Sequence, residues 1–115
     1  MPNITAMERY YGTLLHELIH ATGPASRLNR DCYRLYHQRS IERAKEELIA
    51  EIGSVMLGQR LGLITEPAEE NAAYVQSWIK LLTDHPAAIF EAASAASRAI
   101  DCLEAMQTAQ EAHAA

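Results

Sequence analysis

Apolar residues recur along the chain at the three- and four-residue spacing of a single helix face. Four segments show this pattern, and we expect helices over residues 6–22, 40–61, 67–83 and 86–105. The breaks between them contain Gly or Pro, at Gly23-Pro24, Gly62 and Asp84-His85-Pro86. We expect Gly23 to end the first helix in the left-handed conformation, Gly62 to end the second helix, and Pro86 to lie in the first turn of the last helix.

The segment over residues 24–39 is polar, and we expect an irregular loop there, in which Arg27 and Arg30 either line a cleft or keep the loop soluble. Residues 33–36 and 63–65 are the strand candidates, but both are short and neither alternates well. The last ten residues are expected to fray. The pattern therefore predicts a mostly α protein of about four helices with little or no sheet.

Length and composition narrow the class of protein. The 115 residues suit one domain over 1–115, and 49% hydrophobic residues exclude global disorder. A net charge of −5 disfavours binding of a nucleic-acid phosphate backbone by this segment alone. No apolar run reaches the ~18 residues of a membrane span, and the start does not resemble a signal peptide. We therefore expect a cytoplasmic protein with no membrane partner and with Cys32 and Cys102 reduced.

The first predicted helix carries the motif His16-Glu17-Leu18-Ile19-His20. Residues four apart lie on one helix face, so two imidazoles can bind one Zn²⁺ at ~2.0–2.1 Å. Glu17 lies beside that face, where it can act as the base towards a zinc-activated water. The alternative is an ordinary amphipathic helix on which these polar side chains face solvent.

A catalytic zinc site takes three protein ligands and keeps one position open. Glu47 and Glu51 lie four apart on the second predicted helix and share one of its faces. We expect Glu47 to be the third ligand and Glu51 to accept the second ring N–H of a ligand His. The alternative is a solvated acidic face, which the neighbouring Leu48, Ile49 and Ile52 disfavour.

Several further side chains have more than one interpretation. Tyr74 and Trp78 lie four apart and suit the core or a pocket wall, but the Tyr74 hydroxyl could instead donate to a developing oxyanion. His37 could enter the pocket from its loop. For His37, His85 and His113 alike, an ordinary surface position is the simpler expectation.

Residues 10–23 together with residues 26–30 resemble the C-terminal zincin-like metallopeptidase domain of ArdC-type antirestriction proteins. Residues 46–51 are similar to the acidic helix of that family, and residues 74–79 to its Tyr-x-x-x-Trp helix. Residues 87–90 and the Ala-rich helix after them match the end of the domain. The resemblance covers nearly the whole chain.

The resemblance implies zinc ligation by His16, His20 and Glu47, with Glu17 as catalytic base. It pairs Glu51 with the acid that orients a ligand His in thermolysin-like enzymes, where Asp is usual. It also implies a role on plasmids, phages and other mobile elements, in protecting incoming DNA from restriction. Full-length members add an N-terminal single-stranded-DNA-binding domain. We expect these 115 residues to lack that domain and most of the sheet that precedes a zincin's active helix.

The function expected from these observations is zinc-dependent hydrolysis of a peptide bond in a peptide or protein substrate. Single-stranded DNA is expected as a partner only through the missing domain. One alternative is a non-catalytic antirestriction or DNA-protection protein with a structural or vestigial zinc site. Another is a helical interaction module that forms a homo-oligomer or joins a neighbouring subunit, covering the face left bare by the missing sheet.

Overall fold

A computed structural model describes residues 4–63, 65 and 69–114. Its helices are α1 (Ile4–His20), α2 (Asp31–Arg34), α3 (Ser40–Arg60), a 3₁₀ helix (Glu69–Tyr74), α4 (Val75–Asp84) and α5 (Ala88–Ala114). Within the described ranges there is no strand, which confirms the predicted mostly α fold. None of the described helices is long and apolar enough to cross a membrane.

The predicted helices differ from the observed ones mainly in four places. Pro86, predicted in the first turn of the last helix, lies in the turn before it, because α5 begins only at Ala88. The segment predicted as an irregular loop contains α2, a single turn that starts with Asp31. The third predicted helix is a 3₁₀ helix up to Tyr74 and becomes α-helical only at Val75, while residues 66–68 lie outside the described part. The last helix extends to Ala114, because the Ala, Gln and Glu residues expected to fray are strong helix formers.

The two predicted glycine caps have different outcomes. Gly62 has a φ of 70°, and the amide of Leu63 donates to the carbonyl of Gly58 at 2.8 Å, which is a Schellman-type end for α3. The prediction for Gly23 is wrong, because Gly62 alone among the described glycines has a positive φ. Gly23 is required for another reason: a Cβ at this position would overlap the ring of Tyr33.

Helix α3 lies at the centre of the fold and packs against α1, α2, α4 and α5. The core between these helices is formed mainly by small and aliphatic side chains, among them Leu15, Ile19, Leu48, Leu57, Leu81, Ala96, Ala99 and Ile100. Ile19 is fully buried against Gly53, where a Cβ would lie 2.8 Å from the Ile19 side chain. This glycine lets α1 and α3 approach closely, so that glutamate side chains of α3 can reach the imidazoles of α1.

Candidate metal centre

The structure brings the three predicted zinc ligands together between α1 and α3. The Nε2 atoms of His16 and His20 lie 3.1 Å apart. Glu47 places Oε2 2.9 Å from His16 Nε2 and Oε1 3.3 Å from His20 Nε2. A tetrahedral zinc with bonds of ~2.0–2.1 Å separates its ligand atoms by ~3.3 Å, so the three donor positions suit this ion.

The chemistry of the donor set also fits a catalytic metal. Two imidazoles and one carboxylate are a usual ligand set for zinc that keeps its fourth position open. Over the described part of the chain, His16, His20 and Glu47 form the one group of three metal-ligating side chains close enough to share an ion. All three are buried or half-buried, as a metal site shielded from bulk water requires.

The second ring nitrogen of His16 faces Glu51, the residue predicted to orient a ligand His. Its Nδ1 is buried and lies 3.4 Å from Glu51 Oε2, a separation at which it makes no hydrogen bond of ordinary geometry. The predicted pair is therefore in proximity, but the contact is long.

The second ring nitrogen of His20 has a much closer partner, which the sequence did not reveal. His20 Nδ1 lies 2.7 Å from Oε2 of Glu46, a carboxylate with no exposed surface. Arg30 donates Nε to Oε1 at 2.8 Å and Nη2 to Oε2 at 2.9 Å. Burial alone would raise the pKa of Glu46, but the hydrogen bonds from Arg30 and His20 lower it below its ordinary value.

Glu47 also has a partner that sequence reasoning missed. The hydroxyl of Tyr36 donates to Glu47 Oε1 at 2.5 Å. Burial and the carboxylate of Glu47 together raise the pKa of Tyr36, so this phenol keeps its proton. Tyr74, stacked on Trp78, places its hydroxyl 3.3 Å from the Tyr36 oxygen. Because the Tyr36 proton is directed at Glu47, the geometry makes Tyr74 the donor to Tyr36.

A cleft of about 380 Å³ opens over the ligand cluster, and it is lined by Glu17, His20, Tyr33, Tyr36, His37 and Glu47. Glu17 is exposed on the wall, one residue from His16. His37 is exposed and lines the cleft, whereas His85 and His113 are exposed elsewhere. A larger cleft of about 520 Å³ lies between α3 and α5, but none of the three predicted ligands lines it, and we assign the chemistry to the smaller one.

The acidic neighbours change the protonation of the imidazoles in the metal-free protein. Burial by itself lowers the pKa of His16, but the hydrogen bond with Glu47 and the nearby carboxylate of Glu51 outweigh it and raise the pKa to about 9. For His20, burial is likewise outweighed, by Glu46 and Glu47, and the pKa again rises to about 9.

Curated relatives share this region of sequence. Two proteins named DNA primase TraC, both from Escherichia coli, are 47% and 46% identical to the chain over 103 residues, or 90% of its length. A protein from Sinorhizobium fredii named Uncharacterized protein y4eC is 38% identical over 99 residues, or 86% of the chain. The chain spans only 7%, 9% and 32% of the lengths of these three proteins.

No solved structure matches the chain significantly. The family model described as zincin-like metallopeptidase matches residues 1–95, a range that includes α1, the helix bearing His16 and His20, and all of α3. This match confirms the family resemblance seen in the sequence, and the chain belongs to the zincin-like metallopeptidase family.

Proposed function

We propose that the chain is a zinc-dependent peptidase domain that hydrolyses a peptide bond. The observation that supports this most strongly is the convergence of His16 Nε2, His20 Nε2 and a Glu47 oxygen beneath an open cleft. The exposed carboxylate of Glu17 lies on the wall of the same cleft.

Zinc bound by these three side chains would supply Lewis acidity and allow water to ionise near neutral pH. Glu17 accepts the proton of the attacking water and delivers it to the nitrogen of the leaving amine. Its exposure on the cleft wall suits both transfers, since the carboxylate can meet water before the substrate covers it.

We assign two tyrosine hydroxyls to stabilising negative charge on the scissile carbonyl oxygen, one directly and one indirectly. Tyr74 was the residue predicted for this role, and its hydroxyl reaches the site through Tyr36. Tyr36 lines the cleft itself, and when a substrate enters the cleft the Tyr36 proton can turn from Glu47 to the substrate oxygen. We assign Tyr36 to the direct contact and Tyr74 to support of its hydroxyl, because a preorganised donor stabilises the developing charge.

We place this peptidase activity in the antirestriction systems of mobile elements, as a part of larger proteins. The sequence resemblance supports that setting. The chain matches only a small fraction of relatives that include two DNA primases by name. The net charge of −5 disfavours DNA binding by this segment itself, so its direct partner is a peptide or protein.

The experiment is a peptide-library digestion with zinc-loaded wild-type protein, the Glu17→Gln variant and a matched control, Glu111→Gln, on the exposed end of α5. We expect the wild type and the control to cleave at equal rates. Glu17→Gln should bind zinc equally but lose at least ~100-fold in rate, the usual contribution of a general base. Wild-type protein that is zinc-loaded yet cleaves no peptide would contradict the proposal.

A second candidate function, a non-catalytic interaction module, is favoured by one surface. The outer face of α1 exposes a stripe of large apolar side chains, Met7, Tyr10, Leu14 and Leu18. Such a stripe suits burial against another subunit or another segment of a longer protein. Sedimentation over a wide concentration range tests self-assembly, and a monomer throughout would count against the homo-oligomer.

A further inference from the structure

We infer that Glu46, held in place by Arg30, is a positioning residue that orients His20 for metal binding. The inference rests on the proposed metal centre. Glu46 accepts the Nδ1 proton of His20, which leaves the Nε2 lone pair directed at the cleft. Glu46 and Glu47 are adjacent in α3, so one helix turn supplies both a ligand and the residue that orients a second ligand.

The carboxylate of Glu46 is held by hydrogen bonds on both oxygens. Oε1 accepts from Arg30 Nε at 2.8 Å and from the thiol of Cys32 at 3.2 Å. Oε2 accepts from Arg30 Nη2 at 2.9 Å and faces His20 Nδ1 at 2.7 Å. Because the group has no exposed surface, water cannot replace any of these donors. The carboxylate therefore has one orientation, and His20 is directed by it.

Arg30 ties this carboxylate to the end of α1. Its Nη1 donates to Thr22 Oγ1 at 2.6 Å, and its Nη2 donates to the carbonyl of Ile19 at 3.0 Å. Ile19 and Thr22 lie on either side of His20 in the sequence. The Arg30 guanidinium therefore fixes the position of the Glu46 carboxylate relative to the last turn of α1.

A purely structural ion pair between Arg30 and Glu46 would have different consequences. It would stabilise the fold but leave zinc affinity unchanged once the protein is folded. The 2.7 Å contact with His20 predicts a direct effect on the metal, and the contrast with His16, whose acid lies 3.4 Å away, makes His20 the more firmly oriented ligand.

The first test compares zinc dissociation constants, measured by chelator competition, for folded wild-type protein and Glu46→Gln. We expect the variant to bind zinc 10- to 100-fold more weakly, the usual loss when a partner of a ligand His is removed. The matched control is Glu42→Gln on the same helix, whose carboxylate contacts Lys45. Its zinc affinity should equal that of wild type, because Lys45 is not part of the metal centre.

Equal zinc affinity in folded Glu46→Gln and wild type would overturn the positioning role while leaving the proposed function intact. Wild-type protein that binds no zinc would overturn the proposed function itself. If Glu46→Gln fails to fold because Arg30 is left unpaired, the neutral double variant Arg30→Gln/Glu46→Gln is measured instead, with the same expected loss.

Nitrogen NMR of zinc-loaded wild-type protein provides a readout that needs no variant. We expect His20 to ligate through Nε2 and to carry an Nδ1 proton that exchanges slowly with water, because a buried carboxylate holds it. Ligation through Nδ1, or an Nδ1 proton that exchanges as fast as that of an exposed imidazole, would refute the inference.

Discussion

The close approach of α1 and α3 can be tested by adding a single methyl group at Gly53. A Cβ built there lies 2.8 Å from two side-chain carbons of Ile19, about 0.7 Å inside the ~3.5 Å of an ordinary carbon contact. Ile19 is fully buried and cannot move into solvent. Gly53→Ala must therefore separate the helices or force Ile19 from its rotamer.

The expected magnitude is the balance of two effects. Overpacking of a tight core costs about 1–3 kcal/mol. Replacing Gly by Ala inside a helix stabilises the helix by about 1 kcal/mol. Gly53→Ala should thus lower the free energy of unfolding by about 1 kcal/mol. In an Ile19→Ala background, which itself costs about 2–5 kcal/mol, the same methyl enters the new cavity and should stabilise by about 1 kcal/mol.

The assay is urea denaturation of the four proteins without metal, analysed as a double-mutant cycle. Gly58→Ala on the same helix is the control. The nearest neighbour of a Cβ there is the methyl of the half-buried Thr65 at 3.2 Å, which can move, so the gain in helix propensity should remain and Gly58→Ala should stabilise by up to about 1 kcal/mol. If Gly53→Ala stabilises the wild-type background, the helices are not in the close contact described.

Three further predictions concern the cap and the site. Gly62→Ala should lower stability by about 1–2 kcal/mol in thermal denaturation, since its φ of 70° is left-handed and no neighbour lies within 4 Å; an unchanged melting temperature would contradict this. Tyr36→Phe should weaken zinc binding about tenfold in chelator competition, because Glu47 loses a hydrogen bond; equal affinity would refute that role. Zinc affinity should rise between pH 6 and 9, because the raised pKa values of His16 and His20 make protons compete with the metal. Calorimetry in buffers of different ionisation enthalpy should therefore show that zinc binding releases protons. Zinc binding without proton release would contradict this prediction.

The parts of the site that follow a helical period could be predicted from the sequence. The four-residue spacing of His16 and His20 places both on one face whatever else the chain does. Glu47 followed from the need for a third ligand and from its position among apolar neighbours. In the structure all three meet, and Glu51 faces His16 as its spacing suggested.

The parts that depend on the path of the segment between α1 and α3 could not be predicted. Tyr36 and Arg30 reach the site because the chain forms α2 and turns back over α3, and no periodicity signals that path. Glu46 was missed because Glu47 and Glu51 already supplied a predicted ligand and a predicted partner for a ligand His. A buried carboxylate requires a cationic partner, and pairing each Glu of α3 with an Arg of that segment is the signal that could have revealed it.

The most direct test of the metal centre is the anomalous scattering of zinc-loaded crystals, recorded on both sides of the zinc absorption edge. The predicted result is one peak at ~2.0–2.1 Å from Nε2 of both His16 and His20 and ~2.0–2.2 Å from a carboxylate oxygen of Glu47. A peak at other side chains, or protein that takes up no zinc while folded, would contradict the account.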